Sequence, residues 1–444
     1  MDPKISSKCR KLLVAAIDFG TTYSGYAFSS THAWDKVMIS CWQGGSLLSL
    51  KAPTCLLLKK DFSLSSFGYD AEEKYSDLTW ENKHQDYYFF QRFQMILFGD
   101  LVKPPIQCQD IRGETIEAGI VFMHCIKYLK NHLYQETKKR FPHMKDDDIQ
   151  YVLTVPAIGG DNAKEFMGKA AIEAGIKNEH LIIALESEAA SIYCQYLHIA
   201  KEDTSPSVWD LGVVKPGTKY MMVDLGGVTA DIMVHQKSVD SNLEKIIPAS
   251  GGPWGGKSVD DVFMKFMTEL MGEKVMEDFK KESMEDYLEI MRTFETKKRT
   301  IKPDKDGITN VTIPQALLKL CAKSNGVKDF KDVIDKHEKH RNDVKYAAGK
   351  LKWENEYFRG FFKKTIDSIV KHIDEVFEED VGRDVDTIVM VGGFSECLLV
   401  QDAIKKNFKQ KTVLVPEDAG LAILKGAVYI GHLSNDIPRT TLQS

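Results

Sequence analysis

Two short stretches carry the residue types that phosphate chemistry needs. Asp18-Phe19-Gly20-Thr21-Thr22-Tyr23-Ser24-Gly25 places an acid, two glycines and several hydroxyls at the end of an apolar run, residues 12–17. Asp224-Leu225-Gly226-Gly227-Val228-Thr229-Ala230-Asp231 repeats the arrangement 206 positions later, after the apolar residues 220–223. An acid at a strand end can hold a divalent cation through oxygen or water. A glycine turn offers backbone N–H groups to anionic oxygens and allows approaches that a side chain would block. Gly20, Thr21, Thr22 and Tyr23, with Gly226, Gly227, Val228 and Thr229, are therefore candidate phosphate contacts. Asp18, Asp224 and Asp231 are candidate organisers of a cation. One copy alone reads equally well as a hairpin with a polar turn. Two copies this far apart are no short-period repeat; they imply two similar lobes that grip one polyphosphate and its metal from both sides.

The elements behind these residues read as α/β. Residues 12–17, 151–155, 181–184, 220–223 and 387–391 are apolar runs of strand length. Glu186 falls just past one such run, and Gly392-Gly393-Phe394 just past another; residues beyond the carboxyl ends of strands are site candidates in α/β folds. Residues 41–112 are punctuated by Gly and Pro around an aromatic, helix-like stretch at 87–98. Residues 285–299 form a charged helix in which Glu295 and Arg299 make an i, i+4 pair. Residues 301–350 are polar. His337 and His340 lie in a charged stretch without the His-Glu-x-x-His spacing, which favours a solvated helix over a metal site. Residues 353–377 form a long amphipathic helix whose aromatics read as core.

A rival phosphate site exists. Gly251-Gly252-Pro253-Trp254-Gly255-Gly256-Lys257-Ser258 satisfies the G-x-x-x-x-G-K-S spacing between a strand and a helix. A P-loop there would leave the duplicated Asp turns unexplained, and Pro253 removes one N–H from the nest.

The 444 residues suffice for two large lobes, with 43% hydrophobic and 28% charged residues, a soluble globular balance. A net charge of −5 favours neither nucleic acid nor an anionic membrane. No run is long enough to span a bilayer. Eight cysteines without a Cys-x-x-Cys pair suit a reducing compartment, and a cytoplasmic location is the default.

The paired turns resemble the phosphate motifs of the actin, sugar-kinase and heat-shock ATPase superfamily. Together with residues 151–157, 181–190 and 389–395 in the same order, they resemble the 70-kDa heat-shock proteins. The wording of IIALESEAASIYC, ASGGPWG and LAILKGAVY is similar to the divergent heat shock 70 kDa protein 12 branch. The resemblance spans about residues 12–432. It implies a two-lobed, ribonuclease H-like α/β fold with a nucleotide cleft and two inserted subdomains. Residues 1–217 would be lobe I, with a small subdomain at about 41–112. Residues 218–417 would be lobe II, with a small subdomain at about 256–354. Residues 418–444 would return to lobe I and end in a tail that resembles neither the family's linker nor its client-binding domain.

The resemblance implies binding of ATP or ADP with Mg2+, and K+ as a second candidate ion. Glu186 would stand beside the metal and attacking water, with Asp224 and Thr229 as catalytic partners. Arg92 falls where the family has a lysine near the terminal phosphate. Glu295 and Lys298 match ribose contacts, Arg299 a residue packed on adenine, and Gly392, Gly393 and Phe394 the adenosine motif. Glu396 departs from a stacking arginine. The expectation is a weak Mg-dependent ATPase related to chaperones, partnered by co-chaperones or signalling proteins. The rivals are a nucleotide-gated scaffold with little turnover and a sugar kinase of the same fold.

Overall fold

The computed structural model describes residues 11–44, 47–98, 106–156, 160–196, 216–238, 243–327 and 329–436. The expected lobe boundary at 217 adjoins the undescribed residues 197–215, and the expected N-terminal and C-terminal tails lie largely outside the described residues, as does Ala157.

Each lobe is built on a sheet of the same plan. In lobe I, Tyr23–Ser30 lies antiparallel to Leu13–Phe19 and to Met38–Ile39, while Ile149–Val155 and Leu181–Leu185 continue the other side in parallel. In lobe II, Ala230–Lys237 lies antiparallel to Lys219–Leu225 and to Leu243–Gly252, while Thr387–Val391 and Thr412–Leu414 add in parallel. The central strands are buried on both faces (Leu13–Phe19 and Met221–Leu225), which explains their unbroken apolar runs. The shared plan puts Asp18 and Asp224 at equivalent ends of the two central strands.

Three cores hold this together. One fills lobe II around Phe263, Phe294, Trp353 and Phe361. One fills lobe I around Phe19, Phe122 and Leu153. The third is shared: Val14, Ala189, Tyr220, Met222, Val389 and Leu424 pack in one cluster between the sheets. It is organised by two crossing helices, Glu186–Gln195 and Ala422–Asp436. An added β-carbon on Gly426 would collide with the Ala189 carbonyl, so the crossing requires glycine there.

A fourth, smaller cluster closes the top of the cleft. Cys55, Leu57, Tyr75 and Phe89 of the lobe I subdomain pack on Met284 and Leu288 of the helix Met284–Thr300. Arg292 Nη2 reaches Glu72 Oε2 at 2.7 Å across the same seam.

Several sequence expectations need correction. Residues 87–98 are helical only in their second half: Tyr87–Gln91 is a strand and Phe93–Phe98 a 3-10 helix. Aromatic residues suit a pleated surface, and Arg92, at φ +54, breaks the chain between them. Trp353 belongs to the strand Lys350–Glu354, and the long helix starts at Asn355. His340 is not solvated. It is 3% exposed, with Nε2 3.1 Å from Glu269 and Nδ1 3.3 Å from Asp343.

Candidate functional site

The site begins with strand register. Asp18 sits opposite Gly25 in the first hairpin, and Asp224 opposite Asp231 in the second. Asp18, Asp224 and Asp231 are all nearly buried, at 3–4% exposure. Glu186 joins them from the start of its helix, half-buried. Four carboxyl groups thus share one region between the lobes.

Their partners differ. Asp18 is satisfied twice: Thr154 Oγ1 donates to Oδ1 at 2.8 Å and Lys51 Nζ to Oδ2 at 2.6 Å. Asp231 Oδ2 accepts from Thr229 Oγ1 at 3.2 Å. Asp224 Oδ1 and Asp231 Oδ1 are buried without a partner, as is Thr22 Oγ1. An orphaned buried carboxylate oxygen is costly, and the two in this acid cluster could each accept from a bound cation's water.

Electrostatics agrees. Burial, then Asp231 and Asp18, push the Asp224 carboxyl up to about 7. Burial pushes Asp231 up to about 6. Burial, then Asp18 and Asp224, raise Glu186 well above the usual carboxylate range, against Lys51. The Asp224 shift corresponds to roughly 4 kcal/mol of unfavourable interaction that a cation would relieve. Among the described residues, no three His, Cys, Asp or Glu side chains form a group that could hold a metal ion directly. The donor set, acidic oxygens around a polar floor, is of the hard, oxygen-only kind that suits Mg2+ with its waters.

The two turns meet at the floor. The N–H groups of Thr22, Gly227 and Val228 donate to no carbonyl among the described residues. They remain available for anionic oxygens. The hydroxyl of Thr21 is tied to Gln94 Oε1 at 2.6 Å, and Gln94 Nε2 donates to the Phe19 carbonyl, which fixes the first turn. Gly20 and Gly226 lie under the carbonyls of Tyr23 and Thr229 in matching turns.

The Walker-like loop has a different task. Gly255 N donates to Val228 O at 2.8 Å, Gly256 N to Gly226 O at 3.2 Å and Lys257 N to Gly227 O at 2.7 Å. The N–H groups that a P-loop would aim at phosphate are used to brace the second Asp turn. Lys257 Nζ pairs with Asp261 at 2.6 Å, one turn along its own helix.

The candidate base and ribose residues gather on Met284–Thr300 and the turn after Thr387–Val391. Gly392, at φ +85, lies against Asp224, where a β-carbon would collide with Oδ1. Gly393 faces open space, and Phe394 packs inward near Gly256. Arg299 donates from Nε to Glu295 Oε1 at 2.7 Å and lies 5.7 Å from the centre of the Tyr23 ring, so it bridges the lobes. Lys298 is buried and uses its ammonium on Asp260 Oδ1 at 2.7 Å, Gly256 O at 3.1 Å and Glu295 Oε2 at 2.5 Å. It positions Glu295 and the bracing loop. Glu396 is exposed, and its Oε1 accepts from Gly420 N at 3.1 Å.

Arg92 is drawn elsewhere. Its Nη2 lies 3.6 Å from Asp260 Oδ2, near the roof of the cleft. The cation on the acid cluster is Lys51, which sequence reasoning missed. Thr154 was missed too, although a hydroxyl near the end of an apolar strand was a usable signal.

No family model matches the chain. The chain is 31% identical to heat shock 70 kDa protein 12A of Homo sapiens over 97% of its own length and 71% of that protein's. It is 31% identical to the Mus musculus protein of the same name, over 97% and 70%. It is 32% identical to heat shock 70 kDa protein 12B of Homo sapiens, over 95% and 68%. Among solved structures, it resembles the crystal structure of MreB5 of Spiroplasma citri bound to ADP, with a TM-score of 0.56 and 13% identity, over 96% of this chain and 97% of that one. At that identity the likeness is one of fold.

Proposed function

Because the chain belongs to the heat shock 70 kDa protein 12 family and has a two-lobed actin-like fold, we propose that it binds an adenine nucleotide with Mg2+ in the cleft between its lobes and hydrolyses it slowly. The observation that carries this reading is the pair of Asp turns with unpartnered buried oxygens on Asp224 and Asp231. Residues 1–217, 218–417 and 418–444 would be lobe I, lobe II and the return segment. Phosphates would be held by the two turns, residues 20–23 and 226–229, through the free N–H groups of Thr22, Gly227 and Val228. Mg2+, when bound there, would supply charge neutralisation of the phosphates, which together with positioning accounts for most phosphoryl-transfer catalysis. Asp224 and Asp231 would orient its waters. Glu186 would orient the attacking water, with Asp224 as the second candidate base. Arg299 would meet one face of the base, with Glu295 held for the ribose.

Two observations favour binding with little turnover. Arg92 is committed to Asp260, and Glu396 places no cation on the second face of the base. Turnover therefore separates an ATPase from a nucleotide-gated scaffold, and candidate sugars added to the same assay test the kinase reading. A chaperone-related role, with co-chaperones or signalling proteins as partners, follows from kinship alone. A cytoplasmic setting is supported by the seven free cysteines among the described residues; no described helix is long and apolar enough to cross a membrane.

The deciding experiment is calorimetric titration of Mg·ADP and Mg·ATP into wild type and Asp224→Asn, with a parallel phosphate-release assay. Saturable binding lost in a folded Asp224→Asn supports the reading. Binding that this variant keeps unchanged would sink it.

A further inference from the structure

The cleft holds four carboxyl groups and, among the described residues, a single cation bonded to any of them. That cation is Lys51. The chain fixes it locally: Ala52–Pro53 pairs with the start of Tyr23–Ser30, Ser24 opposite Ala52 and Tyr23 opposite Pro53. Lys51 therefore leaves the backbone directly beside the first phosphate turn. Its stem runs over Gly25, where an added β-carbon would come within 3.1 Å of Lys51 Cγ. Its ammonium ends 2.6 Å from Asp18 Oδ2, with the side chain 18% exposed.

The other cations around the cleft are engaged elsewhere. Arg92 and Lys298 are on Asp260, Lys257 on Asp261 and Arg299 on Glu295. The acids are unequal as well. Asp18 has both oxygens satisfied, whereas Asp224 and Asp231 each keep one buried oxygen orphaned. The duplicated turns are thus chemically asymmetric: the first carries a positive charge on its acid, and among the described residues the second has none.

We propose that Lys51 is a tethered cation, its ammonium on Asp18 replacing an exchangeable monovalent ion, so that the cleft recruits only a hydrated divalent cation, on the Asp224 and Asp231 side. The proposal deepens the nucleotide-cleft reading and rests on it for the identity of the ligand. A lysine ammonium is a compact point charge, close in character to K+, and its anchoring removes the cost of recruiting an ion. The same charge opposes the upward shifts of Glu186 and Asp224. Lys51 is thereby a positioning residue that acts through Asp18. A purely structural ion pair would make no prediction about ions in solution, because its removal would be indifferent to which monovalent cation is present.

The test uses the full chain. Melting temperature, with and without Mg2+, and Mg·ADP affinity are measured in KCl and in N-methylglucamine chloride at equal ionic strength, for wild type, Lys51→Met and Lys51→Arg. Wild type and Lys51→Arg should not distinguish the two salts. Lys51→Met should melt lower in N-methylglucamine and recover in KCl, with Mg·ADP affinity rising about tenfold on the change of salt. A wild type that needs K+, or a folded Lys51→Met that ignores it, would overturn the proposal. If Lys51→Met does not fold, Lys51→Gln, which keeps a donor for Asp18 without the charge, replaces it. A chain that binds no nucleotide in any salt would defeat the nucleotide reading, while the melting data would still decide the role of Lys51.

Discussion

Thr22 and Gly227 touch across the lobes: the Thr22 hydroxyl stands where a β-carbon on Gly227 would have to go. The first phosphate turn thus closes onto the second at the floor of the cleft, while Met284 and Leu288 close the roof. Any side chain at position 227 must part the lobes or displace Thr22. Gly227→Ala is expected to weaken Mg·ADP binding by at least about tenfold, or roughly 1.4 kcal/mol, and to make the cleft more accessible to protease. Gly227→Ala with unchanged affinity and unchanged cleavage would show that the contact is not part of the binding geometry. Thr22→Ser, which keeps the hydroxyl and trims the methyl group, should have little effect in the same assays.

The bracing loop leads to the opposite expectation for a residue that looks catalytic. Lys257 satisfies the P-loop spacing, yet its N–H is bonded to Gly227 O and its ammonium to Asp261. Lys257→Ala should leave nucleotide affinity within about threefold, since exposed i, i+4 pairs contribute only ~0.3–0.5 kcal/mol. Asp224→Asn in the same titration should abolish binding. If Lys257→Ala loses binding and Asp224→Asn keeps it, phosphate sits on the Walker-like loop after all.

Sequence made the two Asp turns legible because a strand end, an acid and small residues are contiguous. The equal plan of the two sheets followed from their recurrence. The partners of those turns were not legible, for a physical reason: Lys51, Thr154 and Gln94 reach them through strand pairing and packing from 30 or more positions away. A lysine in a Gly- and Pro-punctuated stretch carries no periodicity that would mark it as buried. Arg92 and Lys298 illustrate the same limit. Each lies in a segment matching a family motif, but Asp260, on a different helix, draws both side chains to itself.

The raised carboxyls give a pH signature to metal binding. Asp224 and Asp231 hold protons in the folded, metal-free chain up to about pH 7 and 6, against 3.8 in the unfolded chain. Between about pH 4 and 7 the folded state therefore binds more protons, and the stability contributed by these groups falls as pH rises. A divalent cation competes with those protons, so Mg2+ should raise the melting temperature by several degrees at pH 8 and little at pH 5.5. His235 has the opposite sign, since burial and then Lys245 lower it to about 4. It bonds Ser191, on the helix Glu186–Gln195, 2.7 Å away, so its slope cancels when curves with and without Mg2+ are subtracted. An equal Mg2+ effect at both pH values would remove Asp224 and Asp231 from the cation site.

The last prediction concerns the base. Arg299 lies over Tyr23 and is steadied by Glu295, so one face of a purine on the Gly392–Gly393 turn would meet a guanidinium. The other side offers Glu396, a carboxylate that accepts from Gly420 N–H and provides no cation–π contact. A cation there is worth on the order of 0.5–2 kcal/mol, or about two- to thirty-fold in affinity. Glu396→Arg also loses the bond to Gly420, worth about 1 kcal/mol, so its net gain should fall at the lower end. Glu396→Gln keeps an acceptor for Gly420 without the negative charge and separates the two effects. The expected order of ATP affinity is Glu396→Arg above Glu396→Gln, and Glu396→Gln at or above wild type. The ATP-to-GTP ratio should rise in Glu396→Arg alone, because phosphate and metal contacts are common to both nucleotides. A ratio that stays fixed across all three chains would place Glu396 away from the base, serving only the Gly420 turn.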